Sequence, residues 1–96
     1  MKIDFNTNGG SLNVSLDGRL DTVTAPELES FLNENLAGAS ALNIDCASLA
    51  YVSSAGLRVL LAMQKKTKGK MTLTNVCEVV MEVFEMTGFA DILEIE

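Results

Sequence analysis

The sequence predicts an α/β fold in which helices pack on a mixed β-sheet, and three features of its 96 residues predict it. Two alternating apolar segments near the N-terminus are joined by a stretch containing Asn8-Gly9, the pattern of a hairpin. After them, segments of period two alternate with segments of period 3.6, as when each helix carries the chain from one strand to the next. The length suffices for one core and is too short for two, so residues 1–96 read as a single domain.

The first two strands are Lys2 to Phe5 and Leu12 to Leu16, with Asn6 to Gly10 between them. Leu12, Val14 and Leu16 alternate with Asn13 and Ser15, so one face is buried and the other wet. Thr24-Ala25-Pro26-Glu27 has the form of a capping box, threonine as N-cap and glutamate three residues on. Pro26 fits a first turn, where its missing N–H has no partner to lose. Leu28, Phe31, Leu32 and Leu36 mark one face of this helix, and Gly38 stops it. Leu42, Ile44 and Cys46 define a third strand, Ala41 to Cys46. The next helix carries Leu57, Leu60, Leu61 and Gln64 on one stripe, runs into lysines and stops at Gly69. Met71 to Thr74 is a short strand. Asn75 and Glu78 form a second capping box, opening a helix with Val76, Val79, Val80, Val83 and Phe84 inside and Gly88 as its stop. Ile92 to Ile95 adds an optional edge strand, so the order is β-β-α-β-α-β-α(-β).

Composition removes several function classes. A net charge of −6 argues against nucleic acid, whose phosphates are bound by neutralising lysines and arginines. Lys65, Lys66, Lys68 and Lys70 are clustered, but they sit at a helix C-terminus, where cations complement the dipole. No apolar run approaches the ~20 residues that cross a bilayer, and the N-terminus lacks the apolar core of a signal peptide. The expectation is a cytoplasmic protein with no direct membrane binding. There is no histidine, so the common zinc sites and the Ser-His and Cys-His nucleophile pairs are absent, and no metal or other cofactor is expected. Cys46 and Cys77 read as packing residues without a disulfide. No Gly-x-x-x-x-Gly-Lys phosphate loop is present, which weighs against a nucleotide hydrolase.

The informative segment is Asp45 to Leu57, which includes Tyr51-Val52-Ser53-Ser54-Ala55-Gly56. It joins the carboxyl end of a strand to a helix N-terminus, where open α/β sheets place their sites and where unpaired N–H groups favour anions. Two readings of the serines stand: one of them serves simply as the cap, the commoner role, or one accepts a phosphate that the helix terminus then stabilises. Gly56 costs roughly 1 kcal/mol against alanine inside a helix, which implies a close approach to the backbone. The segment Asp17 to Thr24 also joins a strand to a helix. If the second and third strands are parallel, Asp21, Thr22 and Ser54 share one surface, although on the residues alone Asp21 reads better as a solvated loop acid or turn-former.

Two motifs give the chain a resemblance to a known family. Gly18-Arg19-Leu20-Asp21 before Thr24-Ala25 is similar to a Gly-x-Leu-Asp segment, and Ser53-Ser54-Ala55-Gly56-Leu57 resembles an Asp-Ser-x-Gly-Leu signature. Both are found in STAS domains of the anti-sigma factor antagonist type, whose element order also matches along the whole chain. The resemblance implies a STAS-like mixed sheet and a binding protein without enzymatic activity. It implies that Ser54 is phosphorylated by an anti-sigma factor with serine kinase activity and restored by a serine phosphatase. The unphosphorylated form would then sequester the anti-sigma factor and so regulate transcription. The surface implied for the partner comprises Asp21, Thr22, Ser53, Ser54, Gly56, Leu57 and Arg58. Ser53 departs from the pattern, standing where aspartate is usual. The alternative implied by the same family is a docking subunit of a lipid-transport or transporter assembly, bound constitutively and without a phosphate switch.

Overall fold

Gly9 and Gly10 reverse the chain with φ of +59° and +86°, values that only glycine adopts cheaply at two successive positions. The computed structural model describes residues 1–96 and places this turn between β1 (Lys2–Asn8) and β2 (Ser11–Leu20). There follow α1 (Ala25–Asn35), β3 (Ala41–Val52), α2 (Ser54–Lys66), β4 (Met71–Thr74), α3 (Glu78–Thr87), a 3-10 turn (Phe89–Asp91) and β5 (Glu94–Ile95). The sheet order is β1-β2-β3-β4-β5. Its first seam is antiparallel and the other three are parallel, so the predicted mixed sheet and element order are both found.

Alternation decides what each face carries. Leu12, Val14 and Leu16 of β2, Leu42, Ile44 and Cys46 of β3, and Met71 and Leu73 of β4 point into one core. Leu28 and Leu32 of α1, Leu57, Leu60 and Met63 of α2, and Val80 and Phe84 of α3 close it. The intervening positions carry Asn13, Ser15, Asp17, Asn43, Asp45, Thr72 and Thr74, none of them buried. On this polar side an amide row crosses three strands: Asn13 donates to Asn6 at 3.1 Å, and Asn43 donates to Asn13 at 2.9 Å.

Several local expectations are corrected. Both β2 and β3 run past the ends predicted for them, to Leu20 and Val52, through shifts of register between Ser15 and Asp17 and between Gly18 and Arg19. These irregularities break the period of two, since Leu49 and Val52 are buried while Ala47, Ser48 and Ala50 are exposed. Thr24 does not cap α1 with its side chain. Nor does Asn75 cap α3: it has φ +56° and donates to Asp45 Oδ1 at 3.0 Å, and the helix begins only after Cys77. In α2 the buried face is Gly56, Leu57, Val59, Leu60 and Met63, with Leu61 and Gln64 only half-buried. In α3 only Val80 and Phe84 are fully buried, and Val79 is 55% exposed. Both cysteines are free. Burial, with the nearby Asp45 and Cys77, pushes the Cys46 thiol up to about 12.

Candidate functional site

Because β2 and β3 run parallel, the connections that leave them emerge on the same edge of the sheet. They are tied together by one backbone hydrogen bond, from Ser53 N–H to Leu20 O at 2.9 Å. Beside it, on the outward positions, the Arg19 guanidinium lies 4.3 Å over the Tyr51 ring, a cation–π pair between register partners.

The β2–α1 connection is built around Asp21. Its Oδ1 accepts from Val23 N–H at 3.0 Å and Thr24 N–H at 3.1 Å, and its carbonyl accepts from Ala25 N–H at 2.8 Å. Thr24 closes the turn from the other side, accepting from Asp21 N–H at 2.8 Å and donating to Arg19 O at 2.7 Å. Asp21 thus closes the turn that precedes α1, and no side chain caps the helix itself. The Thr24 backbone bond is the main cause that holds the Asp21 carboxyl below its ordinary 3.8. The Val23 N–H, the Thr24 hydroxyl and the Arg19 charge add to it, against partial desolvation. The result is an anion fixed in its own loop, with Thr22 exposed at the tip.

The β3–α2 connection divides the work of the two serines. Ser53 is the N-cap, with extended backbone and an Oγ that accepts a long 3.4 Å bond from Gly56 N–H. Ser54 is the first residue of α2, exposed, and its hydroxyl makes no hydrogen bond within the chain. The N–H groups of the first turn lie beneath it, and no acidic side chain shares that turn. An oxyanion carried on Ser54 would meet a positive helix end whose only side-chain partner is the long Ser53 cap bond.

Gly56 and Leu57 are buried and do not present side chains at this surface. A Cβ on Gly56 would lie 2.7 Å from Leu20 Cγ and 2.9 Å from Val52 Cγ2, so the close approach inferred from this glycine is made by the chain's own core. Arg58 is exposed on the first turns of α2. Of the residues implied for a partner, Asp21, Thr22, Ser53, Ser54 and Arg58 are exposed or half-buried, whereas Gly56 and Leu57 belong to the buried interior. Sequence reasoning missed Val23, which is 77% exposed in the same loop. The signal was available: an apolar residue between Thr22 and Thr24, outside any helical or strand period.

A five-stranded mixed sheet with three helices closing the core on one side is the architecture of a STAS domain. Residues 3–94 match the family described as "Mlab, STAS domain". The anti-sigma-B factor antagonist of Bacillus subtilis is 30% identical over 99% of this chain and 90% of its own length. A candidate anti-sigma factor antagonist of Bordetella bronchiseptica, BtrV, is 33% identical over 99% and 85%. The crystal structure of an anti-sigma factor antagonist from Mycobacterium paratuberculosis superimposes with a TM-score of 0.87 at 25% identity, over 98% of this chain and 83% of the other. The chain belongs to the STAS domain family and is of the anti-sigma factor antagonist type.

No helix is long and apolar enough to cross a membrane.

Proposed function

We propose that the protein is a single, non-catalytic binding module that sequesters an anti-sigma factor and is switched off by phosphorylation of Ser54. The observation that carries this reading is the division of labour at the start of α2. Ser53 takes the capping role, leaving the Ser54 hydroxyl exposed and unbonded at the helix N-terminus. A hydroxyl so placed is reachable by a kinase. The anti-sigma factor itself, acting as a serine kinase, would transfer the γ-phosphoryl group of ATP to Ser54 Oγ, with loss of the hydroxyl proton. A serine phosphatase would restore the binding form.

The switch works by differential affinity. Unmodified, the edge offers a neutral hydroxyl, the exposed Val23 as an apolar anchor and Arg58 as a polar contact. A phosphate adds a charge of about −1.5 to −2 to the sheet edge that also carries the ionised Asp21, and a partner would have to desolvate it. Moving occupancy from nearly full to nearly empty needs about 5.5 kcal/mol of difference. A charge buried without a partner supplies energies of that order. The modified chain keeps its fold because the helix terminus favours the anion.

The test is phosphosite mapping by mass spectrometry after incubation with the cognate kinase and ATP, alongside partner titrations. Ser54→Ala should resist phosphorylation and still bind, Ser54→Asp should bind poorly, and Ser53→Ala should largely keep both activities. Phosphate on Ser53 alone, or a Ser54→Asp variant that binds as tightly as the unmodified protein, would reject the switch in favour of constitutive docking.

A further inference from the structure

Helix α3 is apolar on two sides, and only one of them is covered. Val80 and Phe84 are sealed in the core, whereas Val79 is 55% and Met86 is 86% exposed. At about 100° per residue, Val79, half-buried Val83 and Met86 fall at spacings of four and three on one line along the helix. The same rotation places Glu78, Glu82 and Glu85, all exposed, in a second row along one flank of that line.

This arrangement is unfavourable for the isolated chain in three ways. Exposed aliphatic side chains in a row forgo the burial that would stabilise them. Glutamates three and four residues apart repel each other. Glu85 lies near the negative end of the helix, and the last turn has no lysine or arginine to offset it. The chain supplies no counter-charge, since its sole ion pair joins Lys2 to Asp4 on β1. An apolar line with an uncompensated acidic border is complementary to a helix bearing an apolar line with a basic border.

We propose that this face of α3 docks a basic amphipathic helical segment of a partner protein. The face contains none of the residues around Ser54, and docking there is independent of the phosphorylation state. The protein would then hold two partners at once, or one partner at two places.

A suitable probe is a synthetic helical peptide of about 15 residues, with leucines along one stripe and lysines elsewhere. Its control has glutamate in place of every lysine. Titration into nitrogen-15-labelled full-length protein should shift the amides of Val79, Glu82, Val83, Glu85 and Met86, and added salt should weaken the interaction. Met86→Gln and Glu82→Lys should each lower the affinity by about tenfold or more while leaving the melting temperature unchanged. Ser54→Asp should leave it unaltered. The proposal is overturned if the glutamate control binds equally, if the shifts centre on the Ser54 edge, or if no shift develops at millimolar peptide. It is also overturned if sedimentation detects a dimer that Met86→Gln dissolves, because the occupant would then be a second copy of the chain.

Discussion

Replacing Gly56 by alanine would set a methyl carbon 2.7 Å from Leu20 Cγ, 2.9 Å from Val52 Cγ2 and 3.0 Å from Leu20 Cδ2. The closest of these atoms is the branch point of its side chain, so it cannot swing aside as a chain end would. Both neighbours are at most 1% exposed, so a shift of either presses on the surrounding core. Overpacking of this kind costs about 1–3 kcal/mol. The gain from removing a glycine from a helix is at most about 1 kcal/mol, and less in a first turn. The net expectation is a loss of about 1–2 kcal/mol, or about 5–15 °C in Tm for a domain of this size. The chain has no tryptophan, so urea denaturation is best followed by circular dichroism. The midpoint should fall at constant m, which separates lost stability from a changed denatured state. A Gly56→Ala protein as stable as the parent would refute the close-packing account and return Gly56 to the partner surface.

Ser53→Ala should cost about 0.5–1 kcal/mol, the low end for a cap because its bond is long, whereas Ser54→Ala should stay within about 0.5 kcal/mol of the parent. Paired urea titrations check this, and equal losses would mean that the two serines share the cap. Asp21 and Asp45 both have carboxyls held below 3.8 in the folded protein, Asp21 chiefly by Thr24 N–H and Asp45 chiefly by Asn75. Their contribution to stability is complete above that value and drains away as pH falls through the lower folded values. Asp21→Asn should flatten the acid limb of a stability–pH curve below about pH 4, and an unchanged limb would show that the loop bonds do not favour the ionised form. Cys46, with its thiol pushed up to about 12, should resist iodoacetamide at pH 8 until the protein is unfolded, as mass spectrometry can follow.

The sheet was legible wherever apolar residues alternate without interruption, as in Leu12 to Leu16 and Leu42 to Cys46. It was illegible where bulges shift the register, and so the last residues of β2 and β3 read as loops. Capping motifs misled for a related reason. A Thr-x-x-Glu or Asn-x-x-Glu spacing records only residue types, whereas the backbone turns Thr24 back toward Asp21 and Arg19, ahead of α1, and turns Asn75 toward Asp45. The inner face of α3 was misjudged because five apolar residues span more than one side of a helix, and periodicity alone does not say which side meets the sheet. At the candidate site, sequence reasoning located both serines and Asp21, but sequence does not distinguish a capping hydroxyl from a free one.

The single antiparallel seam also bears on how the chain reaches this structure. The amide row joins Asn6 to Asn13, seven residues apart, and then Asn13 to Asn43, thirty residues apart. Closing the longer loop costs about 1.3 kcal/mol more in chain entropy, from (3/2)RT times the logarithm of the length ratio. The β1–β2 hairpin is therefore the cheapest piece to form, and α1 must carry the chain back along it before β3 can add in parallel. Topologies of this kind fold at the pace of their distant pairings. Weakening the Asn13–Asn43 contact should therefore slow refolding, which the folding arm of a chevron plot would show.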